Sequence, residues 1–413
     1  MDGNPVKGDR LMSLDAFRGF DMFWIMGGEA LVCALAALFG FPDFHKSFGH
    51  VPWEGLQFMD TVFPTFLFMA GASFPFSAAK SLVRGMTRGQ IARRALRRGI
   101  TLMLLGLAYG GFLVKLDFAH FRIPSVLGYI GFGWMVAAWI YLYVKGACAR
   151  IGISLGILAA VTLVFGLVPA PDAATVAIPE NMAWAKELGR GIFTPAGHLG
   201  CWLDRTLIGN HILNPLFDNE SFGGLLCTVV TAMLGMFAGE IVRAGGTPAT
   251  GRKALKLLAS AAVCLAAGLA LSLFYPVVKN LWSPSFVLVV GGYSFAMFAL
   301  FYWIIDVKGR TKWCFFLQVI GMNSITIYLA QRIIRFDGAN NFFFGGLAGL
   351  LPDLWGQLVL KLGYIAVCWL FLLFLYRKNV FLKVGEGWEV WNACRLSRSF
   401  HGERWHLYAV GVS

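Results

Sequence analysis

The 413 residues are 58% hydrophobic and only 14% charged, with a mean hydropathy of +0.67, whereas soluble domains carry charge on about a quarter of their residues. That balance excludes a water-soluble fold and points to an all-α polytopic membrane protein, read as one integral-membrane domain over 1–413. The net charge of +13 would suit a nucleic-acid binder, but in a membrane protein the placement of basic residues reports topology, and no nucleic-acid partner is expected.

Ten segments are long enough to cross a bilayer, each needing about 20 residues at a rise of about 1.5 Å per residue. They are 15–40, 56–79, 98–115, 124–144, 151–169, 222–243, 255–277, 284–305, 314–335 and 357–376. Stretch 338–351 is apolar but short and glycine-rich, which suggests a re-entrant or interfacial loop. The long connection 169–221 reads either as a lid over one mouth of the bundle or as a solvated loop. With the amino terminus placed in the cytoplasm, 24 of the 35 Lys and Arg fall on inner segments, seven of them between Lys80 and Arg98, and ten fall on outer ones. The bias puts both termini inside. Eight cysteines show neither a CxxC nor a His/Cys spacing, so no metal site and no obligatory disulfide is expected.

Five constellations place polar groups where hydrocarbon should be. In Ser13-Leu-Asp15-Ala-Phe-Arg18-Gly-Phe-Asp21, residues Asp15 and Arg18 lie one helical turn apart, either as a helix-start ion pair capped by Ser13 or with Arg18 as a fork for a phosphate. Glu29 sits deeper, beyond Gly27-Gly28, and needs a partner. His50 stands just before an apolar run that contains Asp60, an ionisable group that costs several kcal/mol in hydrocarbon unless paired or facing a cavity. Asn323 and Ser324 lie well inside the ninth segment, bridging helices or lining a tunnel, and Lys279-Asn280-Leu-Trp282 joins the seventh and eighth, with Trp282 as an interfacial anchor or a platform for a sugar ring. Polar groups thus occur near the inner face, at mid-depth and at the outer face, as though something long passes through the bundle. An amino-sugar transporter would give a similar picture, but the internal symmetry such folds show is not visible.

The blocks Arg10-Leu-Met-Ser-Leu-Asp-Ala-Phe-Arg-Gly, His50-Val-Pro-Trp-Glu-Gly with Asp60 and Phe63-Pro64, Arg122-Ile-Pro-Ser-Val-Leu, Lys279-Asn-Leu-Trp-Ser, Asp306-Val-Lys-Gly and Gly321-Met-Asn-Ser-Ile resemble, in order, those of the transmembrane acetyltransferases related to heparan-α-glucosaminide N-acetyltransferase and its bacterial relatives. The resemblance implies an acetyl-CoA-dependent acyltransferase of a bacterial inner membrane. It would pass the acetyl group from the cytoplasm to the amine of glucosamine or a glucosamine-ended glycan outside; O-acetylation of a surface glycan is the enzymatic alternative. It maps the family's active-site histidine onto His50. The family's asparagine near the outer end of the first conserved span falls at or beside Met26, which leaves Glu29 as a candidate replacement.

On this reading His50 and Asp60 are the catalytic candidates, with His50 as general base or as an acetylated intermediate. Arg18, Asp15, Asn323, Ser324, Arg97 and Arg98 are expected to bind acetyl-CoA, and Trp53, Glu54, Lys279, Asn280 and Trp282 the acceptor. The outer segments carry ten Lys and Arg against eleven acidic residues, a balance suited to a small amino sugar rather than a sulfated polyanion. A homodimer is the ordinary expectation for such a protein.

Overall fold

The computed structural model describes residues 11–112, 120–245 and 249–382. Among them there is no strand, only the isolated bridges Glu54 to Val278 and Pro169 to His198. The chain opens with α1 (Met12–Phe23), a π-turn (Trp24–Gly28), α2 (Glu29–Leu38) and the short α3 (Phe44–Phe48). Then come α4 (Phe58–Val83), α5 (Arg88–Tyr109), α6 (Val126–Tyr143) and α7 (Ala147–Leu167). The connection that follows holds α8 (Ala183–Glu187) and α9 (Leu199–Leu207). The second half contains α10 (Leu225–Arg243), α11 (Gly251–Ser272), α12 (Pro284–Tyr302), α13 (Phe315–Met322), α14 (Ser324–Ile333), α15 (Phe336–Gly349) and α16 (Asp353–Arg377).

Burial ranks the helices. The apolar windows of α4 and of the helical stretch Phe222–Arg243 are 67% and 72% buried, against 28% for α7, α11 and α16, so α4 and α10 form the axis of the bundle. They touch backbone to backbone: a Cβ on Gly71 would overlap the Ala232 carbonyl, and one on Gly235 the Phe68 carbonyl. Lipid is as apolar as Leu, so close packing across small residues, rather than expulsion of water, holds such a seam. Leu155, Leu163 and Leu167 on α7, with Leu255, Val263 and Leu269 on α11, face outward, as a lipid-bathed rim requires. Local chemistry sets the helix starts. Thr87 and Gln90 form a reciprocal capping box on α5, and Ser125 and Ser283 accept the Gly128 and Phe286 N–H groups at the starts of α6 and α12.

Against the expected ten spans, the described residues hold eight helices long and apolar enough to cross, nine if one bent pair counts. The segment expected at 98–115 is the helix Arg88–Tyr109, whose five arginines Arg88, Arg93, Arg94, Arg97 and Arg98 take it out of the apolar class. It packs along α6, Gly99 lying against Gly131 and Met135. The segment 314–335 is broken at Asn323, where its two halves bend by 58°. Stretch 338–351 is not a loop but most of helix α15, which lies on α16 and whose Asn340 Nδ2 donates to the Leu360 carbonyl at 3.0 Å. The first span is interrupted by the π-turn, where Gly27 takes φ +131°, a conformation open to glycine alone.

Connection 169–221 is a folded cap rather than a solvated loop. Arg205 forks onto Asp172 at 2.7 and 3.1 Å and reaches the Leu216 carbonyl at 2.7 Å. Arg122 binds both Asp218 and Glu220. Buried Asp204 accepts from the Phe222 and Asp218 N–H groups at 2.8 and 3.3 Å, and burial raises its carboxyl to about 6.

Candidate active site

The cap, the His50 turn and the 276–283 loop meet at one end of the bundle. Trp53 is the clamp: its indole N–H donates to the Phe193 carbonyl at 2.6 Å and its ring packs on Trp184 and Phe217. The turn is also zipped to the next loop, Gly55 N–H to the Val277 carbonyl at 2.9 Å and Asn280 Nδ2 to the Pro52 carbonyl at 3.2 Å. Gln57 Nε2 donates to the Lys46 carbonyl at 2.7 Å.

These attachments hold His50 over the first turn of α4. Its Nδ1 lies 2.7 Å from Asp60 Oδ1, and Asp60 Oδ2 accepts the Gln57 N–H at 3.0 Å and the Val51 N–H at 3.4 Å. Asp60 has no exposed surface, while the His50 side chain is 52% exposed. Lys279 Nζ reaches 3.0 Å from His50 Nδ1 and 3.3 Å from Asp60 Oδ1. A carboxylate taking protons from two backbone donors accepts from the ring as well, so Nδ1 carries the hydrogen and Lys279 bonds through Asp60. Nε2 is then left with its lone pair on the open side. The spacing Gln57-x-x-Asp60 is that of a capping box. Asp60 therefore does two things at once: it closes the start of α4 and it orients the imidazole.

The structure redistributes the other expected site residues. Lys279 belongs to the His50–Asp60 pair, not to a separate ring-binding patch. Trp282 is neither a surface anchor nor an open platform: it is 1% exposed, sits at φ +50°, donates Nε1 to Thr231 Oγ1 at 3.1 Å and is enclosed by Phe63, Tyr129 and Phe286. Trp53 and Asn280 are buried fasteners of the turn. Glu54 alone of the acceptor candidates presents its side chain openly beside that turn. Glu29, redirected by the π-turn, brings its carboxylate next to Gly49, the residue before His50.

The donor candidates gather farther along α4. Arg18 donates to Ser73 Oγ at 3.0 Å and to the Met69 carbonyl at 3.5 Å, so it reaches across to α4. Trp134 Nε1 donates to the Ala70 carbonyl at 3.1 Å with Arg98 stacked 4.5 Å above its ring. Arg18 and Arg98 thus converge on one turn of α4, Arg18 directly and Arg98 through Trp134, while Arg97 stays exposed on α5. Asn323 and Ser324 are buried at the bend between α13 and α14; Thr326 donates to Asn323 Oδ1 at 3.4 Å, and Asn323 Nδ2 has no partner. Sequence reasoning gave Asp21 no role and missed Trp24. Asp21 on α1 and Trp24 at the start of the π-turn follow Arg18 at three-residue spacing, and that spacing was the available signal. Among the described residues no His, Cys, Asp or Glu cluster has the form of a metal site.

No family model matches the chain. The chain is 28% identical over 371 residues to heparan-α-glucosaminide N-acetyltransferase of Homo sapiens, covering 79% of this chain and 53% of that protein. It is 26% identical over 372 residues to the Mus musculus protein of the same name, 79% and 54% covered. The chain spans about half the length of the curated relatives it matches.

Proposed function

From its similarity to heparan-α-glucosaminide N-acetyltransferase, we propose that the chain is a member of that family and a transmembrane N-acetyltransferase, taking acetyl-CoA from the cytoplasm and acetylating the amine of glucosamine, or of a glucosamine-ended glycan, on the other side. In this reading both termini are cytoplasmic and the His50 turn with its cap faces outward. The excess of Lys and Arg on the segments at the far end from His50 supports that orientation.

The observation that carries the reading is the His50–Asp60 pair. With Nδ1–H fixed on Asp60, Nε2 is the acceptor for a proton from the incoming amine. The deprotonated nitrogen attacks the thioester carbonyl, the C–S bond breaks, and the thiolate leaves and takes up a proton. Lys279 balances the Asp60 charge, so the buried carboxylate stays an acceptor throughout. Glu54 and Glu29 supply negative charge at the mouth for a cationic amino sugar. Arg18, and Arg98 behind Trp134, supply positive charge where the phosphates of the donor would lie.

The test uses sealed vesicles loaded with isotopically labelled acetyl-CoA and supplied outside with glucosamine, chitosan oligomers or heparan fragments at two salt concentrations. Labelled N-acetyl sugar outside, with the unsulfated acceptors preferred, supports the proposal. Unmodified sugar carried inward would make the protein a transporter, and a salt-weakened preference for sulfated fragments would overturn the acceptor class. Trapping an acetylated His50 in the absence of acceptor would replace direct transfer by a covalent relay.

A further inference from the structure

Arg18 and Asp21 on α1 and Trp24 at the start of the π-turn follow one another every three residues, each one turn from the next. This run looks onto α4. Arg18 meets it at Met69 and Ser73, and Trp24 meets Phe58 edge to face with ring centroids 4.7 Å apart. Asp21 lies between those two contacts. Along the same length of α4 the other polar side chains are satisfied: Thr65 pairs with Ser294 of α12 at 2.9 Å, Thr61 donates to the Phe58 carbonyl at 2.7 Å and Ser73 to the Ala70 carbonyl at 2.8 Å. Asp21 and Trp24 are the exceptions. Asp21 is 3% exposed and its Oδ2 has no hydrogen-bond partner, and the buried Trp24 Nε1 has none either.

At this depth neither atom can borrow bulk water, and native membrane proteins rarely leave such groups open without a use. One is an acceptor and the other a donor, and they stand one helical turn apart. That pairing matches a secondary amide, which donates through N–H and accepts through its carbonyl. The seam also has the right reach: from Ser73, where Arg18 binds, to Asp60, α4 rises about 20 Å. A ligand with its phosphates at Arg18 and its thioester at His50 would lay a thin, amide-bearing arm past Asp21 and Trp24.

We infer that Asp21 and Trp24 form a hydrogen-bonding station for an amide of the acyl donor's arm, in the seam of α1, α4 and α12 between Arg18 and His50. The inference rests on the donor assignment made above.

It is tested on the full chain in detergent by calorimetric titration with acetyl-CoA, using wild type, Asp21→Ala, Asp21→Asn and Trp24→Phe, each also melted without ligand. Asp21→Ala is expected to weaken binding about tenfold while melting no lower than wild type, since it removes a buried carboxyl whose Oδ2 has no partner. Asp21→Asn, which keeps a carbonyl oxygen, restores most of the affinity, and Trp24→Phe weakens binding in the same direction as Asp21→Ala. Binding to wild type that is unchanged in Asp21→Ala overturns the inference alone. A weakened Asp21→Ala that also melts lower makes Asp21 a structural residue and overturns it too. Absence of any binding to wild type removes the donor assignment, and this inference with it.

Discussion

Asp60 and Asp21 are both carboxylates buried in the bundle, on neighbouring helices, and they differ in everything around them. Asp60 is met by an imidazole, an ammonium and two backbone N–H groups, whereas Asp21 keeps one oxygen without any partner. A carboxylate whose bonds are all made inside the protein can hold another side chain in place. One with a bond left over is poised for something that arrives. Under the proposed function, the two ends of the α1–α4 contact divide the work: a base organised by Asp60 at the mouth, and an unfinished lining on the way to it.

The largest break in that comparison comes from removing what Asp60 organises. His50→Ala is expected to lower the turnover number by about 10² to 10⁴-fold, with the melting temperature little changed because the ring is half exposed. Labelled-acetyl transfer in proteoliposomes reads it, and a variant near wild-type rate would end the assignment. Asp60→Asn comes next. The amide offers the ring a weaker and ambiguous partner, so a loss of about 10²-fold is expected, together with a lower melting temperature from the damaged start of α4. If the two residues act as a unit, the double variant is scarcely slower than His50→Ala alone.

That pairing was half legible in the chain. His50 and Asp60 stand out as an imidazole and a carboxylate at the edge of an apolar run, and their chemistry follows from type. The number and class of the helices follow from hydropathy, except where arginines enter one, as between Arg88 and Arg98, or where a helix breaks, as at Asn323. What could not be read was partnership at long range. Lys279 is 229 residues from His50, and nothing local says that its loop will be zipped to the His50 turn. Trp282 has the composition of a surface anchor, yet the turn that begins at Lys279 drives its ring inward. The role of Asp21 was not legible either. It stands one turn from Arg18, and nothing local shows that one of its buried oxygens stays without a partner.

Arg18 sharpens the comparison from the lining side. Its guanidinium reaches Ser73 and Met69 on α4, the turn where the proposed function places the donor's phosphates. Arg18→Ala is expected to raise the KM for acetyl-CoA about tenfold with kcat nearly unchanged, and to flatten the salt dependence of KM. Steady-state rates at two ionic strengths measure it. An effect on kcat at constant KM would instead place Arg18 in the transition state and detach the phosphates from this turn of α4.

The smallest effect at neutral pH concerns a third way of burying a titratable group, neither partnered by charge like Asp60 nor left open like Asp21. His198, in the cap, accepts the Gly200 N–H on Nδ1 at 3.0 Å and turns Nε2 to the Tyr275 hydroxyl at 2.7 Å. Both bonds suit the neutral ring, and burial lowers its pKa from 6.5 to about 3. An unfolded histidine begins to take up its proton near 6.5, the folded one not until near 3. The stability it contributes is therefore complete above 6.5 and is lost as the pH falls toward 3, by about 1.4 kcal/mol per unit. Asp204, raised to about 6 from 3.8 by its own burial, works in the opposite sense between those two values, because there the folded cap binds the proton first. The histidine's share is isolated by comparing wild type with His198→Phe, which keeps a flat ring against Phe165 and cannot titrate. The expected result is a melting temperature that falls more steeply between pH 6.5 and 4.5 in wild type than in the variant. Parallel curves would mean that the cap opens before the bundle does and that His198 charges without cost to the fold. Acetyl transfer at pH 7 should be nearly the same in both proteins, since a ring sealed between Tyr275 and Phe165 reaches neither the amine nor the thioester.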